Sequence, residues 1–236
     1  MLEVSDLCVQ YDEVSVLKRI QLVVRPSEFV AVIGSNGAGK STLCGAIFGL
    51  MKVEAGIIRF LGNEIQGRPT YEIARMGLGY VPEGRRLFGD MTVVENLRIA
   101  YRKNPASDGT ANHMVDRMLN LFPELKDHLK QMASTLSGGQ QQMVALARAM
   151  MSNPKMLVVD ELSLGLSPIA AKKMFTHLQV LRKDGVGLLL VEQNVRQALR
   201  LTDRAYILSH GKIDLDGKSA DLLCNPEIEK SYFGTT

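Results

Sequence analysis

The residues with the most specific chemistry form a glycine-rich loop that begins at Gly34. Residues 34–41 read Gly-Ser-Asn-Gly-Ala-Gly-Lys-Ser and match the phosphate-binding pattern G-x-x-x-x-G-K-[ST]. Glycines let backbone N–H groups surround a polyphosphate, a lysine reaches the β- and γ-phosphates, and a hydroxyl can ligate Mg²⁺. The pattern therefore predicts a nucleotide site made by Gly34, Ser35, Asn36, Gly37, Ala38, Gly39, Lys40, Ser41 and Thr42.

Two adjacent acids, Asp160 and Glu161, end the apolar run 156–159 later in the chain. A carboxylate at the end of a strand can hold Mg²⁺ directly or through water. The next residue, Glu161, is placed to accept a proton from an attacking water. The pair predicts nucleotide hydrolysis, against the alternative that two solvated charges merely end a strand.

A third segment, Leu-Ser-Gly-Gly-Gln at 136–140, has the features of a helix start. Ser137 is a preferred N-cap residue, and the bare amides of Gly138 and Gly139 are available to an anion. The loop at Gly34 already serves the nucleotide of the same chain, so these donors have no evident ligand within a monomer. The alternative is a capped helix with no further role.

The elements that position these groups follow from periodicity. The continuous apolar run Phe29–Ile33 predicts a strand buried on both faces, and Ser41–Leu50 reads as the helix after the glycine-rich loop. Strands are also predicted near the N-terminus, at Met156–Val159, at Gly187–Val191 and at Ala205–Leu208. Between the strands at Met156–Val159 and Gly187–Val191, the segment Pro168–Lys183 is predicted to form a long helix.

From about Met91 to Met150 a helical pattern replaces the strands. Helices are predicted at Val93–Tyr101 and Asn112–Phe122, separated by the turn-rich Asn104–Gly109. The simplest account is an α/β nucleotide-binding core interrupted by a helical insert.

Bulk properties exclude several classes of protein. The 236 residues suffice for one α/β domain, and no apolar stretch is long enough for a membrane span. A net charge of +3 without a Lys/Arg-rich block gives no indication of nucleic acid binding. We expect no secretory signal, and we expect the three cysteines to be reduced, buried thiols.

The three motifs in this order resemble the ATPase subunits of ABC (ATP-binding cassette) transporters over nearly the whole chain. The resemblance implies an α/β fold with a RecA-like phosphate-loop core, an antiparallel β subdomain and an inserted α-helical subdomain. It implies one ATPase domain over 1–236, with 1–90 and 151–236 as the nucleotide-binding core and 91–150 as the helical subdomain.

The resemblance also assigns site residues. It makes Glu161 the catalytic base and Tyr11 an aromatic that stacks on adenine. It implies a head-to-tail dimer in which Ser137, Gly138, Gly139 and Gln140 contact the γ-phosphate bound by the partner, and it places a dimer-crossing loop at Leu164–Ser167. The implied cofactors are ATP and Mg²⁺, with Ser41, Asp160 and Glu83 at the metal.

Three positions depart from the general family pattern, since Glu83, Leu162 and Gln193 stand where glutamine, proline and histidine are usual. The resemblance makes Gln193 a catalytic residue beside Glu161, because it can hydrogen-bond a γ-phosphate, although it cannot carry a protonatable charge. The stretches Val-Pro-Glu-Gly-Arg-Arg, Ser-Leu-Gly-Leu and Val-Glu-Gln-Asn resemble LivF-type ATPases of branched-chain amino acid importers.

The implied partners are two transmembrane permeases, a second ATPase or a second copy of this chain, and an extracytoplasmic solute-binding protein. The permeases would dock near Glu83–Val93, where Arg85 and Arg86 lie; the alternative for these two arginines is a solvated surface with no docking role. The implied location is peripheral, on the cytoplasmic face of the inner membrane. Open alternatives are another cargo, such as urea, short amides or an exported lipid, a non-transport ABC ATPase, and an ATP sensor with weak hydrolysis.

Overall fold

The computed structural model describes residues 1–102 and 109–228. The predicted turn at 104–109 lies, except for Gly109, outside these described residues. The strands are β1 (Leu2–Tyr11), β2 (Val14–Val24), β3 (Phe29–Ile33), β4 (Ala55–Phe60), β5 (Asn63–Glu64), β6 (Leu78–Val81), β7 (Met156–Asp160), β8 (Gly187–Glu192), β9 (Arg204–Ser209) and β10 (Lys212–Lys218).

The helices alternate with these strands and fill the middle of the chain. They are α1 (Lys40–Ile47), α2 (Thr70–Arg75), α3 (Val93–Ala100), α4 (Ala111–Leu121), α5 (Gly138–Met150), α6 (Pro168–Lys183), α7 (Val195–Leu201), α8 (Ser219–Leu223) and α9 (Pro226–Ile228). Short 3₁₀ turns occupy Pro123–His128 and Ala133–Thr135. No helix of the described ranges is both long and apolar enough to cross a bilayer.

The strands form two sheets. A six-stranded sheet has the order β10-β9-β3-β8-β7-β6, in which only the β9–β10 pair is antiparallel. A four-stranded antiparallel sheet has the order β2-β1-β4-β5. Parallel strands point their carboxyl ends the same way, so the segments that follow β3, β7 and β8 meet at one edge.

Strand β3 lies between two hydrophobic cores because successive side chains point to opposite faces of a sheet. Phe29, Ala31 and Ile33 pack into the core that contains α5 and α6. Val30 and Val32 pack into the core shared with α1 and the antiparallel sheet. Burial on both faces explains the unbroken apolar run and fixes the position of the loop that follows Ile33.

Sequence periodicity located most elements but misplaced the end of α1, which stops at Ile47 and not at the predicted Leu50. Gly49 adopts a left-handed φ of 66°, and the N–H of Leu50 bonds the carbonyl of Gly45 at 2.8 Å, a hydrogen-bonded helix stop. Strands β6 and β10 and helices α2, α7 and α8 were not predicted. The expected burial of the cysteines is correct only for Cys44, because Cys8 is half-buried and Cys224 is exposed.

The elements from Val93 to Met150 are all helical within the described residues of that range. The fully buried Asn96 of α3 ties this region to the preceding loop: its Oδ1 accepts from the N–H of Phe88 at 3.0 Å, and its Nδ2 donates to the Phe88 carbonyl at 2.9 Å. The division into a core and a helical subdomain at 91–150 stays a prediction.

Candidate functional site

The glycine-rich loop lies between β3 and α1, as its sequence pattern requires. Gly34 runs so close to β9 that an added Cβ would lie 2.3 Å from the carbonyl oxygen of Leu208. Gly39 has a φ of 108°, in the left-handed region that favours glycine, and caps α1. The loop and α1 line a cavity of about 420 Å³ that also includes Glu83, Glu161 and Leu164.

Lys40 projects into this cavity and pairs with the predicted catalytic base. Its Nζ lies 3.0 Å from Glu161 Oε1, with both side chains more than nine-tenths buried. The same ammonium donates to the carbonyls of Gly34 at 3.0 Å and Ser35 at 3.1 Å. A buried ion pair is stable only when its hydrogen bonds are satisfied, and these carbonyls satisfy the lysine.

Asp160 ends β7 with a buried carboxylate and fits a metal ligand. Among the described residues its Oδ1 has no hydrogen-bond partner. Burial raises its pKa to about 6, and the negative charge of Glu161 adds to this, although a hydrogen bond from Ser41 opposes it. An orphaned buried carboxylate oxygen beside a hydroxyl has the donor chemistry that Mg²⁺ prefers.

The protein alone does not enclose a cation within the described residues, where no cluster of three or more His, Cys, Asp or Glu side chains is arranged for one. Mg²⁺ usually keeps waters and phosphate oxygens beside one or two carboxylates. Asp160 and Ser41 would therefore share the ion with the nucleotide. Glu83 is exposed and lines the same cavity.

Glu161 follows β7 in a left-handed backbone conformation, with a φ of 54°. This conformation is unfavourable for a residue with a side chain and occurs mainly where the surroundings impose it. The N–H of Glu161 bonds the Val191 carbonyl at 2.9 Å, and the next side chain, Leu162, is fully buried in the core. The unusual Leu162 thus has a packing role.

The segment 136–140 starts α5 with a complete capping box. The N–H of Gln140 donates to Ser137 Oγ at 3.4 Å, and the N–H of Ser137 donates to Gln140 Oε1 at 2.9 Å. Arg85 lies against this helix start, where its guanidinium donates to Gln141 Oε1 at 2.9 Å. Arg86, in contrast, is exposed.

The structure brings some predicted site residues together and leaves others apart. Neither Tyr11 nor the segment 137–140 is among the described residues that line the cavity at the glycine-rich loop. Tyr11 is exposed and its hydroxyl donates to the sulfur of Met51 at 3.0 Å, whereas Val16 lines the cavity. Gln193 lines an adjoining cavity of about 530 Å³ that shares Glu161 and Leu164 with the first.

Sequence reasoning missed Glu192, a fully buried carboxylate at the end of β8. Four donors surround it, two of them from Ser163. Its position after the apolar run 188–191 repeats the pattern that drew attention to Asp160, so the signal was present in the sequence.

Comparisons with known proteins agree with this geometry. A sequence profile described as ABC transporter matches residues 17–163. The chain is 43% identical over 234 residues to the high-affinity branched-chain amino acid transport ATP-binding protein BraG of Pseudomonas aeruginosa, covering 99% of this chain and 100% of that protein. It is 37% identical over 235 residues to the probable branched-chain amino acid transport ATP-binding protein LivF of Archaeoglobus fulgidus, covering 99% of each.

Similarity extends to a protein named for another cargo and to solved structures. The lipopolysaccharide export system ATP-binding protein LptB of Escherichia coli is 32% identical over 235 residues, covering 99% of this chain and 97% of that protein. A solved ATP-binding cassette of an ABC transporter superposes with a TM-score of 0.87 at 27% identity, covering 98% of this chain and 97% of that chain. The same cassette in its ADP conformation gives a TM-score of 0.84.

The buried charge of Asp160 predicts a pH-dependent gain in stability for Asp160→Asn. The folded-state pKa of Asp160 is raised to about 6 from 3.8, so its ionised form opposes folding above pH 6 and this opposition fades as the pH falls. Without nucleotide or metal, the variant should be more stable than the wild type at pH 8 by about 1–3 kcal/mol.

Urea unfolding at pH 8 and pH 5, with EDTA present, measures this difference, which should shrink at the lower pH. Asp90→Asn, at an exposed carboxylate, is the matched control. A variant less stable than the wild type at pH 8 would contradict the account of Asp160.

Proposed function

Because this chain belongs to the family of ABC transporter ATPases, we propose that it energises the import of branched-chain amino acids. Membership makes it an ATP-hydrolysing subunit of a transporter. The observation that supports hydrolysis at this site is the Lys40–Glu161 pair, which joins the glycine-rich loop to the acid at the end of β7.

We assign the roles within the site from this geometry. The ammonium of Lys40, held by loop carbonyls and Glu161, transfers its bonds to the β- and γ-phosphate oxygens when ATP fills the cavity. Glu161 loses its partner in the same event and becomes the base that takes a proton from water. Asp160 and Ser41 would hold Mg²⁺, which would offset the phosphate charge.

The second half of the catalytic site comes from another ATPase subunit in this proposal. The helix start at Ser137 carries an anion-binding end but lies outside the cavity of its own chain. It packs beside α6, because a Cβ added at Gly139 would lie 3.1 Å from Ala170. Two apolar side chains, Leu164 and Ile169, are 48% and 76% exposed on neighbouring segments, as expected of a surface that pairs with a partner.

The permeases are proposed to dock at the junction between the core and the helical elements. Phe88 is half exposed there, and Arg148 of α5 lies over its ring at 5.7 Å. Arg86 is exposed on the same loop, whereas the guanidinium of Arg85 donates to Gln141. Docking on permeases would place the chain at the cytoplasmic face of the membrane.

The cargo proposal depends on the two most similar relatives named above, both named for branched-chain amino acid transport. LptB, at 32% identity, is named for lipopolysaccharide export, so similarity of the cassette alone does not fix the cargo. The extracytoplasmic binding protein of the complex would do so.

Replacing Glu161 by Gln tests the assignment of the catalytic base. The amide keeps the shape but cannot take a proton, so kcat should fall about 10²–10⁴-fold. ATP binding should be retained or tightened, because Lys40 no longer has a carboxylate partner. ATPase assays and binding titrations measure the two effects, with Glu54→Gln, at an exposed acid, as the control. A variant that hydrolyses ATP at the wild-type rate would refute the assignment and favour a sensor.

Affinity purification of the tagged chain from gently solubilised membranes tests the transport assignment. Two permeases and a second ATPase should co-purify, and vesicles containing this complex and its binding protein should take up leucine, isoleucine or valine on ATP addition. Uptake of urea or an amide instead would contradict the cargo. Ribosomal or DNA-repair partners without permeases would contradict transport.

A further inference from the structure

Glu192 is a buried acid that has no role in the mechanism proposed above. It ends β8, its side chain is fully buried, and burial raises its pKa while hydrogen bonds from Ser163 act against this. Burying a carboxylate is unfavourable unless donors surround it, so a site that retains one must supply them.

The donors come from two separate loops. Ser163 donates its N–H to Oε1 and its hydroxyl to Oε2, both at 2.9 Å. The N–H groups of Gln193 and Asn194 approach Oε2 at 3.2 Å and 3.5 Å. A single carboxylate therefore joins the loop after β7 to the loop after β8.

These two loops carry Glu161, the proposed base, and Gln193, which is expected to hydrogen-bond the γ-phosphate. Glu161 lies two residues before Ser163, and Gln193 directly follows Glu192. Both loops line the cavity of about 530 Å³ next to the glycine-rich loop. The hydrogen bonds of Ser163 to Glu192 therefore link the loop that carries Glu161 to the loop that carries Gln193.

The backbone at Glu161 needs such an anchor because its φ of 54° is unfavourable. On its amino side Glu161 is fixed by β7, whose Asp160 pairs with Val191 in the sheet. On its carboxyl side Leu162 is buried in the core and Ser163 is bonded to Glu192. The strained residue is thus held on both sides.

We propose that Glu192 is a positioning residue for ATP hydrolysis, which fixes Glu161 and Gln193 relative to each other by binding Ser163 and the N–H groups of the β8 loop. The inference builds on the proposed function, since it takes Glu161 as the base. Glu192 contacts neither nucleotide nor water in this role; it sets the geometry in which those contacts are made.

Glu192→Gln tests the inference, because the amide replaces one acceptor oxygen by a donor that faces donors. We expect kcat to fall about 10–100-fold, the order of loss that misplaced catalytic groups produce. The KM for ATP should change less than about threefold, because Lys40 and the glycine-rich loop are untouched. A kcat within about twofold of the wild type would overturn the inference.

A double-mutant cycle with Ser163 separates positioning from general loss of structure. Ser163→Ala removes the hydroxyl donor but keeps the N–H, so kcat should fall less than in Glu192→Gln, and Ser163→Thr should restore it. The double variant Ser163→Ala/Glu192→Gln should be no worse than Glu192→Gln alone. Additive losses in kcat would overturn the inference. If Glu192→Gln fails to fold, a wild-type kcat in Ser163→Ala would overturn it as well.

Glu28→Gln is the control at a partly buried, hydrogen-bonded carboxylate, since Glu28 precedes the opposite end of β3 and accepts from Arg25 and Arg204. It should leave kcat unchanged; an equal loss there would overturn a specific role for Glu192. Glu161→Gln distinguishes a failure of the proposed function from a failure of the positioning role of Glu192. If that variant stays active, the proposed function fails, whereas its inactivity beside a fully active Glu192→Gln refutes only the positioning role.

Discussion

The ion pair between Lys40 and Glu161 is the interaction on which the site depends. It joins α1, the helix after the glycine-rich loop, to the residue that follows β7. Lys40 Nζ and Glu161 Oε1 are 3.0 Å apart, and both side chains are buried. Removing either partner leaves an uncompensated buried charge, which typically costs about 3–5 kcal/mol. Phosphate oxygens are the natural competitor for the ammonium, so in our account the binding of ATP and the release of Glu161 are one event.

The sheet brings these groups together. Strands β3, β8 and β7 are parallel neighbours, so the phosphate loop, Gln193 and Glu161 all follow carboxyl ends at one edge. Core packing on both faces of β3 fixes the position of that strand in the sheet. Helix α5 begins after Ser137, which does not line the cavity at the glycine-rich loop. In our proposal this helix start completes the phosphate site of a partner subunit.

The sequence predicted those parts of the fold in which local pattern and tertiary position agree. Strand β3 and helix α6 have the predicted bounds, because one is buried on both faces and the other begins with a Ser-Pro cap. Strand β10 was missed, since its half-exposed alternation at the sheet edge gives no strong apolar signal. The family, the α/β fold and the ATPase activity are confirmed by the comparisons.

Long-range contacts within the site were not predictable from motifs. Sequence motifs identify the residues of the glycine-rich loop and the two acids. The pairing of Lys40 with Glu161, and of Ser163 with Glu192, arises only when strands that are distant in the sequence become neighbours. A structure of the wild-type chain with Mg²⁺ and a non-hydrolysable ATP analogue tests the central claim directly. Lys40 should then bond the β- and γ-phosphates and lie beyond about 4 Å from Glu161. A bound analogue with the Lys40–Glu161 pair intact would contradict the account.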